Sequence, residues 1–330
     1  MVAKAVHRLE WSGPTGPMFA GWVLAKQAKL CWDLPPADYR AYMTAFHSIA
    51  ILGPGLLGGS IAMAVRDRLP SVDVRVWARR PEAAEEVRAL NLCRVSTTDH
   101  REAVTDADLV ILCTPIGVMR SLCEQLVPHL SASAVVTDVG SVKGRVVREL
   151  SAVFDGPAFV GSHPMAGSEM AGIEAARADL FEGATCIVTP DETSNADAVS
   201  SVETFWRSIG GLVRKLGPEE HDRVVAQVSH LPHLVAAALV NLVCSAGTDS
   251  LKFSGSGFRD TTRVASGPAG MWAEILTENR EHLKEAVSGM IRSLETFARA
   301  LDKPSTETLE QLLAHASASR DAFYRRGQND

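Results

Sequence analysis

The sequence predicts a doubly wound α/β sheet followed by an all-helical region, and three observations predict it. From residue 48 onward, short runs rich in Val, Ile and Leu alternate with helical stretches, the pattern of parallel strands covered on both faces. A glycine-spaced turn, "GPGLLG" (53–58), lies between the first run and the first helix. Strand signals cease after "LGPEE", and helical stretches continue to the C-terminus, which puts the predicted boundary near Gly217.

In chain order, "SIAILG" is a short apolar strand ending in Gly, "LLGGSIAMAVRDRL" is helical and "VDVRVWA" is the second strand. "PEAAEEVRAL" is a helix with Pro in its first turn, where the missing N–H costs nothing. "ADLVILCTP" and "SAVVTDVGS" continue the series as buried strands, and "AFVGSH", "ATCIVTP" and "LVRKL" supply later ones. In "HDRVVAQVSHLPHLVAAALVNLV", Val224, Val228, Leu231, Val235, Ala238 and Leu242 form one helical stripe. Ala226, Ala236, Ala237 and Val240 make the opposite face apolar too, so this helix is expected to be buried. Pro232 removes a backbone donor there and can kink it. The predicted organisation is a flexible N-terminal extension (1–47), a dinucleotide-binding domain (48–217) and a helical domain (218–330). The extension carries Gly and Pro clusters, little periodicity and Met43 five residues before the first strand. It is poor in Ser and contains Glu10, Asp33 and Asp38, unlike a transit peptide.

Bulk properties exclude several classes. With 330 residues and 46% hydrophobic content the chain can bury a large core in two domains. A net charge of -6 argues against nucleic acid or an anionic membrane surface as partner. Cysteines 31, 93, 113, 123, 186 and 244 form no CxxC pair, which fits a reducing cytoplasm. No uninterrupted apolar run approaches the roughly 20 residues of a bilayer span, and no signal peptide pattern is present. The expectation is a cytoplasmic protein with no membrane partner.

The glycine turn carries chemistry. Gly53 permits the tight turn, Gly55 lets the backbone approach a pyrophosphate, and Gly58 lets helix and sheet come close. Leu56 and Leu57 then open a helix whose N-terminus faces phosphate anions. A preceding strand, a following helix and a second strand at the expected distance favour a Rossmann-like dinucleotide site over a plain glycine-rich turn of an α/β protein. An NAD site usually ends its second strand in Asp or Glu. Here "VWARRP" offers Ala78, Arg79 and Arg80, and two arginines suit a 2′-phosphate, so NADP is favoured over NAD; solvated surface arginines are the alternative.

Ligands of such sheets sit beyond the carboxyl ends of the strands, so Thr114 and Pro115 of "CTP", the loop "DVGSVKG" (138–144) and "GSHPMAGSE" (161–169) should converge on the reactive ring. A neutral imidazole there can take a proton from a hydroxyl as hydride leaves the same carbon. His163 is that candidate base, with Ser141 available to orient it and Glu169 close in sequence; a histidine that only bonds a backbone carbonyl is the alternative. His230 and His233 need polar partners if buried, whether as ligand contacts or as core histidines. "HLPH" has no matching Cys or carboxylate cluster, so no metal is expected. Arg259 and Arg263, four apart after Gly255 and Gly257 in an expected loop, look like an anion clamp, against a surface pair of Arg259 with Asp260.

Six blocks in one order, "GPGLLGGS", "CTP", "DVGSVKG", "GSHPMAGSE", "SHLPH" and "GFRDTTRVA", make residues 48–330 resemble the prephenate and arogenate dehydrogenases of tyrosine biosynthesis. The resemblance implies a Rossmann-like domain joined to an all-α dimerisation domain, a homodimer, an active site in the cleft between the halves, and NAD(P)-dependent oxidative decarboxylation of prephenate or arogenate. It implies that His163 is the base, Ser141 aligns it, His233 holds the pyruvyl side chain and Arg263 clamps a carboxylate. Glu169, Ser168 and Arg259 would line or gate the pocket, and Trp272 would reach toward the partner subunit. Ala78 departs from the NAD-type pattern. A different class, a non-catalytic NADP(H)-binding sensor, would keep the cleft without turnover.

Overall fold

In the computed structural model, which describes residues 46–154, 158–168, 170–245 and 248–326, the first strand settles the layering. All five residues of β1 (Ser48–Leu52) are buried. Ile49 and Ile51 belong to one core and Ala50 and Leu52 to the other, the period-two alternation of a strand covered on both faces. Around it stand α1 (Leu56–Arg68), β2 (Asp73–Trp77), α2 (Pro81–Ala89), β3 (Val95–Thr97), α3 (His100–Val104), β4 (Leu109–Leu112), α4 (Ile116–Leu126), β5 (Val135–Asp138) and α5 (Gly144–Ser151). The sheet is completed by β6 (Ala158–Pro164), β7 (Thr185–Thr189) and β8 (Leu212–Lys215), with α6 (Ala196–Ser208) between the last two. The strand order is β3-β2-β1-β4-β5-β6-β7-β8, so the winding reverses between β1 and β4 and opens a crevice at their carboxyl ends.

Two features differ from the sequence expectation. β3 is only three half-buried residues, too short to show periodicity. β6 and β7 pair antiparallel, with His163 opposite Ile187. A parallel return needs a crossover of a dozen or more residues, usually a helix. The described part of 165–184 holds one 3-10 turn, Ile173–Ala175, and no α-helix. His163 therefore sits within a paired strand, not in an open loop.

The three glycines of the first turn play separate parts. Gly53 has φ of +111°, and a Cβ there would stand 2.7 Å from the Cys113 carbonyl oxygen. A Cβ on Gly58 would stand 2.1 Å from the Gly53 carbonyl oxygen, so α1 can start where it does only without a side chain. At Gly55 a Cβ would meet nothing within 4 Å.

Beyond Lys215 every described element is helical. α7 (Pro218–Val225), a π-helical segment (Ala226–His230) and α8 (Leu231–Ser245) run on as one span; α9 (Ser256–Thr262), α10 (Ala269–Glu278), α11 (Arg280–Leu301) and α12 (Glu307–Arg326) follow. Sheet and helices belong to one compact unit, Met43–Asp330. The span Pro218–Ser245 covers 28 residues, and its most apolar 18-residue stretch has a mean hydropathy of 1.5, long and apolar enough by length and composition to cross a bilayer. The expectation that no uninterrupted apolar run reaches bilayer length holds, because His221, Asp222, His230 and His233 interrupt the span. Those four side chains are buried in the protein, so its first half belongs to the fold. The expectation that the whole helix is buried is corrected. In the single chain only His233 and Ala236 of α8 are buried, and Val228 and Leu242 are 63% and 68% exposed, because one apolar face is covered and the other is not. Arg259 and Arg263, expected in a loop, stand on α9 and on the 3-10 turn Arg263–Ser266.

Gly58→Ala is expected to lower the urea unfolding free energy by roughly 1–3 kcal/mol through overpacking. Gly55→Ala should leave that value unchanged while weakening dinucleotide binding measured by calorimetry.

Candidate active site

The crevice at the β1/β4 switch is a cleft of about 580 Å³. Its walls include Gly53 and Gly55, the end of β2 with Trp77, Ala78, Arg79 and Arg80, and Thr114 and Pro115 after β4. Trp77 is fixed by its indole N–H, which donates to the Thr98 carbonyl at 2.9 Å. Arg79 and Arg80 are exposed. The Thr114 hydroxyl is buried without a partner among the described residues, the state of a polar group whose partner is a ligand. Leu56 and Leu57 are not in the cleft lining; they begin α1, and Leu57 packs against the core, so what they offer a phosphate is first-turn backbone N–H groups. The open Gly55, the helix N-terminus and the orphan hydroxyl fit a dinucleotide.

His163 lies at the end of β6 and is only 7% exposed. Its Nδ1 is 2.9 Å from Nε2 of His221, and Nδ1 of His221 is 2.8 Å from Oδ1 of Asp222. Because a carboxylate accepts, His221 carries its proton on Nδ1 and its Nε2 must accept from His163. The proton of His163 is therefore on Nδ1, and its Nε2 lone pair is free to act as a base. Burial is the main reason His163 is held well below the ordinary imidazole range, with the charges of His221, Lys143 and His230 adding to it. Burial also lowers His221, opposed by the Asp222 hydrogen bond. For Asp222 burial acts upward, but hydrogen bonds from His221 and from the Lys143 and Gly144 amides outweigh it and hold the carboxyl low.

The β5–α5 loop is fixed by buried charge. Asp138 and Lys143 are both fully buried and ion-paired through Nζ. Asp138 also accepts the Gly140 amide at 2.8 Å and the Ser162 amide at 3.2 Å. Lys143 and Gly144 donate their backbone N–H groups to Asp222 at 2.7 and 2.8 Å, so a carboxylate from the helical half caps α5. Ser141 stands half-buried on this loop, two residues before Lys143.

A ring cluster fills the helical side. His233 stacks on Trp272 of its own chain, centroids 3.6 Å apart and planes at 10°, and His230 meets the same indole edge-on at 6.3 Å. Both histidines are buried. Burial lowers His233, with a Val264 backbone hydrogen bond opposing it, and pushes His230 down to about 4. Trp272 sits on α10, whose Glu274 accepts the Gly117 amide at 2.6 Å and whose Glu278 pairs with Arg145 at 2.7 Å.

Arg259 and Arg263 are exposed. Ser168 is exposed and accepts the Met170 amide at 3.1 Å. Glu169 lies outside the described residues.

A family model for the prephenate dehydrogenase nucleotide-binding domain matches residues 61–215, and one for the prephenate dehydrogenase dimerization domain matches 217–315. A cyclohexadienyl dehydrogenase of Zymomonas mobilis is 35% identical over 284 residues, covering 85% of this chain and 96% of that protein. The chain belongs to the prephenate dehydrogenase family. A prephenate dehydrogenase of Bacillus subtilis is 32% identical over 283 residues, 84% of this chain and 76% of its own. The crystal structure of prephenate dehydrogenase from Aquifex aeolicus, in complex with hydroxyphenyl propionate and NAD+, superposes with a TM-score of 0.77 at 32% identity, covering 86% of this chain and 98% of that one.

For a member of the prephenate dehydrogenase family, several parts of the site escaped the sequence reading: His221, Asp222, Lys143 and Asn279. His221 and Asp222 look like the polar first turn of a helix, and 58 residues separate His221 from His163. The one available signal was the dipeptide His-Asp ahead of a strongly apolar stretch.

Four buried histidines have lowered pKa values. The unfolded chain takes up protons near 6.5 that the folded one refuses, so their stabilising contribution is complete above that pH and is lost as pH falls toward 4. His230 alone, lowered to about 4, accounts for on the order of 3 kcal/mol. Urea titrations at pH 7.5 and 4.5 should show a clear drop in unfolding free energy; a flat profile would contradict neutral buried imidazoles.

Proposed function

We propose that this protein is a prephenate dehydrogenase that converts prephenate to 4-hydroxyphenylpyruvate, and the observation that carries the proposal is the His163–His221–Asp222 chain within the fold of this family. A nicotinamide dinucleotide bound in the β1/β4 cleft would supply the hydride acceptor for C4 of the substrate. Gly53, Gly55, Thr114 and Pro115 would hold it, with Arg79 and Arg80 offering a 2′-phosphate their guanidinium forks.

The protein's own work is to position and deprotonate. His163 Nε2 takes the C4 hydroxyl proton. The resulting imidazolium donates through Nδ1 to His221, and His221 donates to Asp222, so the positive charge at the base is met by a carboxylate two hydrogen bonds away. The low proton affinity of His163 keeps it neutral and ready at neutral pH. A substrate carrying two carboxylates raises that affinity when bound. Ser141 aligns the hydroxyl, His233 holds the side chain and Arg263 clamps a carboxylate, with Arg259, Ser168 and Glu169 near the entrance. Loss of the C1 carboxylate as carbon dioxide sends its bonding pair through the ring to the C4 oxygen, which takes its proton back from His163; the ring becomes aromatic, so the driving force lies in the substrate.

The uncovered apolar face of α8, including Leu242, supports a homodimer through the helical half, where such area is buried in assemblies. The relative named cyclohexadienyl dehydrogenase favours one second reading, activity on arogenate as well.

His163→Asn should cut kcat by about 10³-fold or more with little change in KM, whereas His221→Phe should cut it about 10–100-fold; normal turnover by the first variant would refute the assignment. Arg263→Ala should act mainly on KM. With NAD and NADP compared side by side, wild type should prefer NADP and Arg79→Ala should lose most of that preference.

A further inference from the structure

His230 takes no part in the proton chain, yet its environment is built with unusual care. It ends the π-helical segment Ala226–His230, just ahead of Pro232, and is 1% exposed. π-Segments inside α-helices recur at functional sites. Its Nδ1 lies 3.1 Å from Nδ2 of Asn279, itself buried, and the same Nδ2 donates to the Asp222 carbonyl at 2.7 Å. A backbone carbonyl can only accept, so the Asn279 atom facing it is the amide nitrogen. That nitrogen points its second hydrogen at His230. Nδ1 must then be an acceptor, and the proton of a neutral His230 is fixed on Nε2. This N–H is buried and has no partner among the described residues. The two ring nitrogens diverge, so Nε2 points away from Asn279, and the ring itself stands edge-on to the Trp272 indole that stacks on His233.

A buried donor without an acceptor is costly, and a ligand oxygen is one acceptor that removes the cost. Resting on the proposed function, the substrate's groups can be assigned by elimination. The C4 hydroxyl goes to His163, and the two carboxylates go to the Arg263 guanidinium and to His233, which holds the side chain by its carboxylate. The remaining polar group is the side-chain oxo oxygen, an uncharged acceptor, at the position where arogenate carries an ammonium. We propose that His230 is a specificity-determining residue that donates its Nε2–H to this oxo oxygen, with Asn279 as the positioning residue that fixes its tautomer. A donor-only contact welcomes a carbonyl and opposes an ammonium, which has only protons to offer.

The test uses the full-length chain. Dissociation constants for 4-hydroxyphenylpyruvate and for 3-(4-hydroxyphenyl)propionate, which lacks the oxo group, are measured by tryptophan fluorescence, alongside kcat and KM for prephenate and arogenate. Wild type should bind the oxo compound about ten-fold more tightly. His230→Phe should abolish that preference and raise the KM for prephenate more than it lowers kcat; His230→Gln, which can present an N–H near the Nε2 position, should restore part of both. An intact preference in His230→Phe would overturn the proposal. If that variant does not fold, the ring 15N–1H spectrum of wild type decides: the His230 Nε2–H resonance should move with the oxo compound and not with the propionate, and no movement would overturn it. Absence of wild-type turnover with either substrate would instead count against the proposed function, while the two-ligand comparison still judges His230.

Discussion

The Asp222 carboxylate joins the two halves of the site. Oδ1 receives the Lys143 amide and the His221 ring, and Oδ2 receives the Gly144 amide. One anion thus caps a helix of the sheet half and sets the tautomer of a histidine in the helical half. The geometry of the candidate base is inherited from it: without the Asp222 anchor nothing requires His221 to accept from His163. Buried carboxylates are costly unless fully bonded, and three good donors meet that condition here.

The same logic explains the neighbouring ion pair. Lys143 is among the largest fully buried side chains in the chain, paired with an equally buried Asp138. Such a pair adds little net stability over an apolar replacement, but losing one partner leaves an uncompensated charge. Its effect is positional: Asp138 also holds the Gly140 and Ser162 amides. The Ser162 hydroxyl in turn bonds the Asp138 carbonyl at 2.6 Å and receives the Trp206 indole N–H at 3.0 Å. Strand alternation then puts Ser162 on one face of the sheet, against Trp206, and its neighbour His163 on the other, against His221. The loop and the strand end are locked together before any ligand arrives, which is the preorganisation that proton transfer needs.

α10 ties the ring cluster to the cofactor side. Glu274 and Glu278, one turn apart and so on one helix face, reach Gly117 at the start of α4 and Arg145 on α5, while Trp272 stacks on His233. The Arg145 pair is partly exposed and worth little by itself. The Glu274 contact is more consequential, because α4 begins directly after the Thr114–Pro115 segment of the cleft. The ring cluster and the dinucleotide cleft therefore meet on one helix, α10.

How much of this was legible in the sequence depends on the range of the interactions. The sheet, the glycine turn and the change to helix after Lys215 follow from local patterns: period-two burial, a positive φ at Gly53 and the absence of room for a Cβ at Gly58. His163, His233 and the arginines could be picked out as residue types in a motif. The antiparallel pairing of β6, the partnership of His163 with His221 and Asp222, the bonding of Asn279 to His230, and the bare face of α8 could not. Each rests on contacts between residues far apart in the chain, or on how much of a face the rest of the molecule covers. A linear pattern carries propensity and periodicity; only the folded chain decides which donors meet which acceptors, and thereby which nitrogen of each histidine holds the proton.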